Sequence, residues 1–282
     1  MNQLQFTPAQ WLSRITERLA AAGIESAEAE AVQLLEAASG LSRSEQLLQD
    51  TPLNTEAAAR LEDMVRRREQ REPLQYITGT AGFYGLELNV DARALIPRFE
   101  TEVLVELALQ KIKGLSSPLV IDVATGSGAI ALAIASERPD ALVTGSDISE
   151  RALDLAAENS ARTSIEIELI EADLLDGMEE LAREADLIVS NPPYLPEGDR
   201  QTVSPEVKRD PPLALFAGED GLDVFRLLLK QASRLLKPGA WLLLELDPRN
   251  IHAAAELAAG FSEVQIEKDL TGRERFLLLG NG

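Results

Sequence analysis

Four consecutive residues carry the strongest chemical signal in this sequence: Asn191-Pro192-Pro193-Tyr194, set directly after the strand-like run 186–190. The Asn191 side-chain oxygen and the Pro192 backbone carbonyl are two acceptors that together can take both hydrogens of a carboxamide NH₂. An amide nitrogen is a poor nucleophile because its lone pair is delocalised into the carbonyl. Two acceptors hold that nitrogen, draw electron density onto it and point it at an electrophile. Pro193 brings no N–H to compete for the acceptors and stiffens the backbone. Tyr194 offers a flat face on which a planar amide stacks. A strand-end turn with two prolines is also an ordinary structural device, but only the chemical reading uses all four residues.

A second constellation begins at Asp122 and runs through Ala124-Thr125-Gly126-Ser127-Gly128, between a strand-like run and a helix-like one. Glycines at 126 and 128 permit a tight turn and close backbone approach to a ligand, and a helix start supplies unpaired N–H groups. Asp147 closes the next strand, where a carboxylate accepts the two hydroxyls of a ribose. Asp173-Leu174, after the third strand, is placed to touch an adenine. This segment alone satisfies the dinucleotide-binding fingerprint as well, and the nicotinamide and methyl-donor readings stay open on it. Two details favour S-adenosyl-L-methionine, with S-adenosyl-L-homocysteine as product. Asp122 suits a positive sulfonium or amino group and would repel a pyrophosphate, and the Asn191–Tyr194 turn needs a methyl donor to act on an amide.

Composition narrows the chemistry further. Cysteine is absent and His252 is the only histidine, so disulfides, thiolate metal sites and thiol nucleophiles are excluded, and no metal site is expected. The net charge is −20; nucleic-acid binding draws on clustered Lys and Arg, so direct contact with DNA or RNA is not expected. Six of the 27 basic residues are lysine. This balance suits either adaptation to high salt or a GC-rich genome rich in Arg, Ala and Glu. No run approaches the ~18 apolar residues of a membrane span, and residues 1–11 lack the pattern of a secretion signal. A cytoplasmic monomer is the expectation.

These residues need elements to position them. Residues 7–70 read as helices: one starts at Thr7-Pro8 and stops at Gly23, and Ser26 caps a second that closes at Gly40. Ser42 and Glu45 form a capping box for a third, and Asn54 opens a fourth that ends at Arg66-Arg67-Arg68. That arginine cluster reads as a solvated helix face, with docking of an acidic partner patch as the alternative. Residues 82–90 alternate like part of a β-hairpin. Residues 95–102 then lead into a helix through about Lys113, and strands alternate with helices as in a doubly wound parallel sheet. Strands are expected at 119–123, 141–146, 165–170, 185–190 and 240–246, with helices at 130–137, 150–160 and 222–236. Two last strands, 261–268 and 273–279, form an antiparallel hairpin. The expected fold class is therefore α/β, a mostly parallel seven-stranded sheet with a C-terminal hairpin plus a small N-terminal helical bundle. Residues 1–74 would be a helical substrate-docking domain, 75–95 a β-hairpin linker and 96–282 the catalytic domain. The Pro- and acid-rich stretch 195–220 reads as a lid.

Taken together, these residues resemble the release-factor glutamine methyltransferase family, also called HemK or PrmC. The likeness rests on Arg71-Glu72-Pro73-Leu74-Gln75-Tyr76-Ile77-x-Gly79, Phe83-Tyr84-Gly85, Leu95 to Glu102, Asp122 to Gly128, Asn191 to Tyr194, and Asp269-Leu270-x-Gly272-Arg273. It implies a class I methyltransferase domain, peptide-chain release factors as partners, and a target glutamine in their Gly-Gly-Gln tip. It also implies that Ala124–Gly128, Asp147, Leu174 and Asn191 hold the methyl donor, and that Asn191–Tyr194 hold the glutamine. Family members usually carry glycine at 124 and proline at 99. Ala124 is expected to matter little provided its φ is negative. The run 244–250 departs from the usual glycine- and glutamine-bearing version. A ribosomal-protein glutamine methyltransferase, an adenine-amino nucleic-acid methyltransferase and a nicotinamide oxidoreductase are the rival readings.

Overall fold

The computed structural model describes residues 6–282, which divide into two compact units. The first contains residues up to Gly79 together with Ser204–Arg209. Its helices are α1 (Pro8–Ala21), α2 (Ala27–Ser39), α3 (Arg43–Leu48), α4 (Thr55–Glu69) and α5 (Leu74–Thr78). Thr7 and Ser42 each close a capping box, and Asn54 accepts from the Ala57 N–H, so these three starts follow the local sequence. Ser26 does not cap by its side chain; its hydroxyl donates to Glu30 instead. Trp11, Ile15, Leu19, Leu34, Leu35, Leu61 and Val65 form the core of this unit.

The arginine cluster at the end of α4 is committed internally. Arg66 pairs with Asp63, and Arg67 pairs with Glu72 at 2.6 Å. Arg68 is buried between Glu30 and Glu206. A solvated face therefore describes Arg66 and half-exposed Arg67 but not Arg68. Burial alone would raise Glu206, yet the guanidiniums of Arg71 and Arg68 hold it down at about 2.

The second unit holds Thr80–Val203 and Asp210–Gly282. A two-stranded hairpin, β1 (Thr80–Phe83) and β2 (Leu86–Asn89), comes first, followed by α6 (Phe99–Lys111). Then come β3 (Leu119–Val123), α7 (Ala129–Glu137), β4 (Leu142–Asp147), α8 (Glu150–Thr163) and β5 (Glu168–Glu171). The remainder is α9 (Glu179–Glu184), β6 (Leu187–Ser190), α10 (Asp223–Leu235), β7 (Trp241–Glu245), α11 (Ile251–Leu257), β8 (Glu263–Lys268) and β9 (Glu274–Gly280). The seven-stranded sheet has the order β5-β4-β3-β6-β7-β9-β8, parallel except for β9, which runs antiparallel to both neighbours. The short helices α5 and α9 were not anticipated, each being too brief to show a clear helical period, whereas His252, read as an exposed helix residue, lies exposed on α11.

Apolar residues fill both faces of this sheet, as covered parallel strands require. Side chains alternate between two cores: Leu242 and Leu244 go to one and Leu243 to the other, and in β9 Leu277 and Leu279 part from Phe276 and Leu278 in the same way. Helices α10 and α11 cover the first face, while α6, α7 and the β1–β2 hairpin cover the second. The strand order reverses between β3 and β6, so the loops leaving their carboxyl ends diverge and open a crevice. Among the described residues no helix is long and apolar enough to cross a membrane.

Candidate active site

A cavity lies at the carboxyl ends of the parallel strands, and it gathers Ala124, Thr125, Gly126, Ser127, Asp147, Asp173, Leu174, Asn191 and Pro193. They come from four strand ends: residues 124–127 follow β3, Asp147 closes β4, Asp173 and Leu174 follow β5, and Asn191 and Pro193 follow β6. The loop after β3 is shaped by its backbone. Ala124, Gly126 and Gly128 all have positive φ, at 57°, 58° and 80°. At Gly128 a Cβ would also lie 3.2 Å from that of Ala156, so close packing of α8 adds to the demand for glycine. The Thr125 N–H donates to the Ser146 carbonyl at 2.9 Å, tying the turn to β4. Asn159, fully buried on α8, donates to the Ser127 and Asn89 carbonyls and so fastens the loop to the hairpin.

Asp147 accepts from Gly126 N–H and Ser149 N–H, both at 2.9 Å, and burial raises its pKa. A carboxylate has about four lone-pair directions, so acceptor capacity remains for a ligand's hydroxyls in the cavity. Ile148, half-exposed beside it, supplies an apolar edge. Leu174 across the cavity also has positive φ, 59°. Asp122 takes a different place from the other acidic residues. It does not line the cavity; it is fully buried beneath the loop, accepting from the Thr125 hydroxyl at 2.6 Å and the Ala131 N–H at 3.1 Å. Its other oxygen has no hydrogen-bond partner among the described residues, and burial pushes the carboxyl up to about 7. Gly128 and Pro192 likewise shape the turns without lining the cavity.

The opposite wall is built from side chains. Asn191 donates from Nδ2 to the Thr101 hydroxyl at 3.1 Å, and that hydroxyl donates to Glu245 Oε2 at 2.7 Å. The Tyr194 hydroxyl reaches Glu245 Oε1 at 3.3 Å. Arg275 lies 4.0 Å from the same oxygen and is held by Asp269 at 3.1 Å. Burial raises both Glu245 and Tyr194. Asn191 Oδ1 is buried and has no hydrogen-bond partner among the described residues. Tyr194 itself packs on the core and does not line the cavity.

Several lining residues were not assigned to the site from sequence. Thr101, Arg98 and Pro97 come from the start of α6, and Phe83 from the hairpin; Leu213 and Phe216 come from the excursion after Tyr194. The Pro97–Glu102 stretch stands out in the sequence, yet nothing local says that its threonine faces an asparagine 90 positions later. The excursion is stitched at its base, with Leu195 N–H donating to Leu215 O and Ala217 N–H to Leu195 O at 2.8 and 2.9 Å. Among the described residues no group of three or more acidic or histidine side chains is gathered to hold a metal.

The chain is similar to known proteins over most of its length. A family profile described as the PrmC N-terminal domain matches residues 10–79, and one described as the methyltransferase small domain matches 99–210. The chain is 48% identical over 268 residues to a release factor glutamine methyltransferase of Deinococcus radiodurans, covering 94% of this chain and 95% of that one. A protein of the same name from Streptomyces coelicolor is 41% identical, covering 94% and 95%. The chain belongs to the release factor glutamine methyltransferase family. Solved structures agree at the level of fold. The hMettl16 catalytic domain, in complex with MAT2A 3'UTR hairpin 1, superposes with a TM-score of 0.58 at 14% identity, covering 82% of this chain and 83% of that one. The T. Thermophilus 16S rRNA N2 G1207 methyltransferase, in complex with AdoMet and guanosine, gives 0.52 at 20% identity, covering 72% and 50%.

Within this chain, one expectation about the glycine loop is overturned. Ala124 was expected to be harmless on condition that its φ is negative, and its φ is 57°. A left-handed alanine costs about 1–2 kcal/mol because Cβ crowds the following carbonyl oxygen. The chain tolerates this strain because the two residues that follow are held in place, Thr125 by the Ser146 carbonyl and Gly126 by Asp147.

Proposed function

We propose that this chain transfers a methyl group from S-adenosyl-L-methionine to the side-chain nitrogen of the glutamine in the Gly-Gly-Gln motif of peptide-chain release factors. The observation that carries the reading is Asn191 Oδ1: a buried acceptor without a partner among the described residues, on a residue lining the cavity formed by the glycine loop and Asp147. Its relatives' name supports release factors as the substrate. The cavity fits the methyl donor in its chemistry. Asp147 keeps acceptor capacity for ribose hydroxyls, the left-handed backbone at Ala124 and Gly126 admits close approach, and Ile148 and Leu174 offer apolar contact.

When bound there, the donor supplies an electrophilic methyl on a sulfonium. The protein's part is orientation. Asn191 Oδ1 and the Pro192 carbonyl take the two amide hydrogens, leaving the nitrogen facing the glycine-loop side. The Tyr194 ring, packed on the core, backs the turn that carries Asn191. Fixing both reactants in this way is worth about 7–11 kcal/mol of barrier in favourable systems. No strong base is needed, because an amide nitrogen that has gained a methyl group is acidic enough to lose its proton to water.

The charge of −20 supports action without direct nucleic-acid contact, and we take the protein to work as a cytoplasmic monomer, which light scattering on the purified chain tests. The deciding experiment incubates the protein with labelled S-adenosyl-L-methionine and a full-length release factor, with ribosomal proteins and adenine-containing RNA as parallel arms. Mass spectrometry should place the label on the Gly-Gly-Gln glutamine. Label confined to another arm, or on another side chain, overturns the proposal.

A further inference from the structure

We infer that Thr101 and Glu245 are positioning residues that set which way the Asn191 carboxamide faces, and so make Asn191 an acceptor rather than a donor toward the substrate. The inference rests on the glutamine-methylation reading and goes beyond it by assigning two residues outside the reactive turn.

An asparagine amide has an oxygen end and a nitrogen end of nearly equal size, so packing alone does not distinguish them; the hydrogen-bond network does. Here the distinction is made two bonds away. Glu245 stands at the end of β7, with 1% of its surface exposed, and its oxygens are pure acceptors when ionised. The Thr101 hydroxyl has a single hydrogen, and at 2.7 Å from Glu245 Oε2 that hydrogen is spent on the carboxylate. What remains on Thr101 Oγ1 is lone pairs, so toward Asn191 it can only accept. Asn191 therefore turns its NH₂ to Thr101, at 3.1 Å, and keeps Oδ1 as the other end. The same carboxylate accepts from Tyr194 through Oε1 at 3.3 Å, so one group orients both the acceptor and the aromatic of the reactive turn.

The consequence of losing the carboxylate can be worked out. In Glu245→Gln, Arg275, 4.0 Å from Oε1, draws the amide oxygen to its own side and leaves the new NH₂ facing Thr101. That NH₂ donates to Thr101 Oγ1. The threonine hydrogen is released and turns to Asn191, whose amide flips to receive it. Asn191 then presents NH₂ to a substrate NH₂, donor against donor. A purely space-filling Glu245 would accept the same isosteric exchange without loss. In Thr101→Val the orienting atom is gone altogether, whereas Thr101→Ser keeps it.

The test uses the full chain and three variants, Thr101→Val, Thr101→Ser and Glu245→Gln. Single-turnover methylation of a release factor is read beside S-adenosyl-L-methionine affinity by calorimetry and the hydrogen exchange of the Asn191 side-chain NH₂ by ¹⁵N NMR. Thr101→Val and Glu245→Gln should lower the methylation rate by roughly 10- to 100-fold, the range of one misdirected polar contact, with donor affinity held within about twofold. Thr101→Ser should stay within about threefold of the parent. The Asn191 NH₂ should be protected in the parent and in Thr101→Ser, and exchange faster in Thr101→Val. Undiminished rates in Val and Gln overturn the assignment, as does a serine variant as poor as valine, or a donor affinity that falls in step with rate. Should the parent fail to methylate any release factor, the functional reading falls while the exchange measurement still decides the relay.

Discussion

The two walls of the cavity are made in different ways. The wall proposed to meet the methyl donor (the donor wall), at the ends of β3, β4 and β5, is a matter of backbone: Ala124, Gly126 and Leu174 hold left-handed φ values, and one carboxylate, Asp147, anchors the turn. The wall proposed to meet the substrate amide (the acceptor wall) is a matter of side chains: Asn191 and Thr101 line it, and Glu245 and Tyr194 complete a hydrogen-bond relay behind them. Under the proposed function the contrast follows from what each wall would bind. A methyl donor is large and is met over many contacts, which a contoured backbone supplies. A single NH₂ offers two hydrogens, and only correctly polarised acceptors distinguish it from its surroundings.

That contrast is open to attack at both walls, and the largest effect is expected at Asn191. Alanine there should lower the methylation rate by roughly 10²–10³-fold, the usual cost of removing a preorganised polar contact to a reacting group, while donor binding persists. Equal loss of both, measured by single turnover and calorimetry, would merge the two walls into one function. Asp147→Ala should behave oppositely. Donor affinity should fall on the order of 10- to 100-fold through loss of charge-assisted bonds, while the rate at saturating donor stays close to the parent's.

A smaller effect concerns the buried carboxyl beneath the donor wall. Asp122 is raised from 3.8 to about 7, so between those values the folded state holds a proton that the unfolded state has lost. Stability contributed by this group therefore falls as pH rises from about 4 to about 7. Comparing urea unfolding of the parent with Asp122→Asn across that window isolates this group from carboxylates such as Glu206 and Asp269, which are shifted downward. The parent should lose stability relative to the variant as pH rises; a constant difference would place the proton elsewhere. Least of all, Ala124→Gly should stabilise the fold by about 0.5–1 kcal/mol, the left-handed strain relieved less the added freedom of the unfolded chain. A destabilised glycine variant would show that the strain is absent.

The two walls also differ in how far the sequence disclosed them. The donor loop was readable because its parts are contiguous and its glycines announce the turn, and β3, α7 and β4 fell close to where alternation and helical spacing put them. Asn191–Tyr194 was readable for the same reason. The relay behind it was not: Thr101 and Glu245 lie 144 positions apart, and each resembles any helix-start threonine or strand-end acid. Ala124 hid its strain because nothing in an alanine's identity betrays the sign of its φ. Asp122 was recognised as important, but its depth is set by the packing of α7 above it, which no local pattern reveals.

Strand β9 follows every other strand of the large sheet in the chain yet sits inside it, between β7 and β8. During synthesis the β7 edge must wait with its backbone N–H and C=O groups unpaired until residues 274–280 have emerged. An unpaired apolar edge of this kind invites pairing with a second nascent chain. The vulnerable interval in this protein's life is thus the delay before β9 arrives, and slow elongation through that stretch would be expected to lower the yield of folded protein more than an equal delay anywhere upstream.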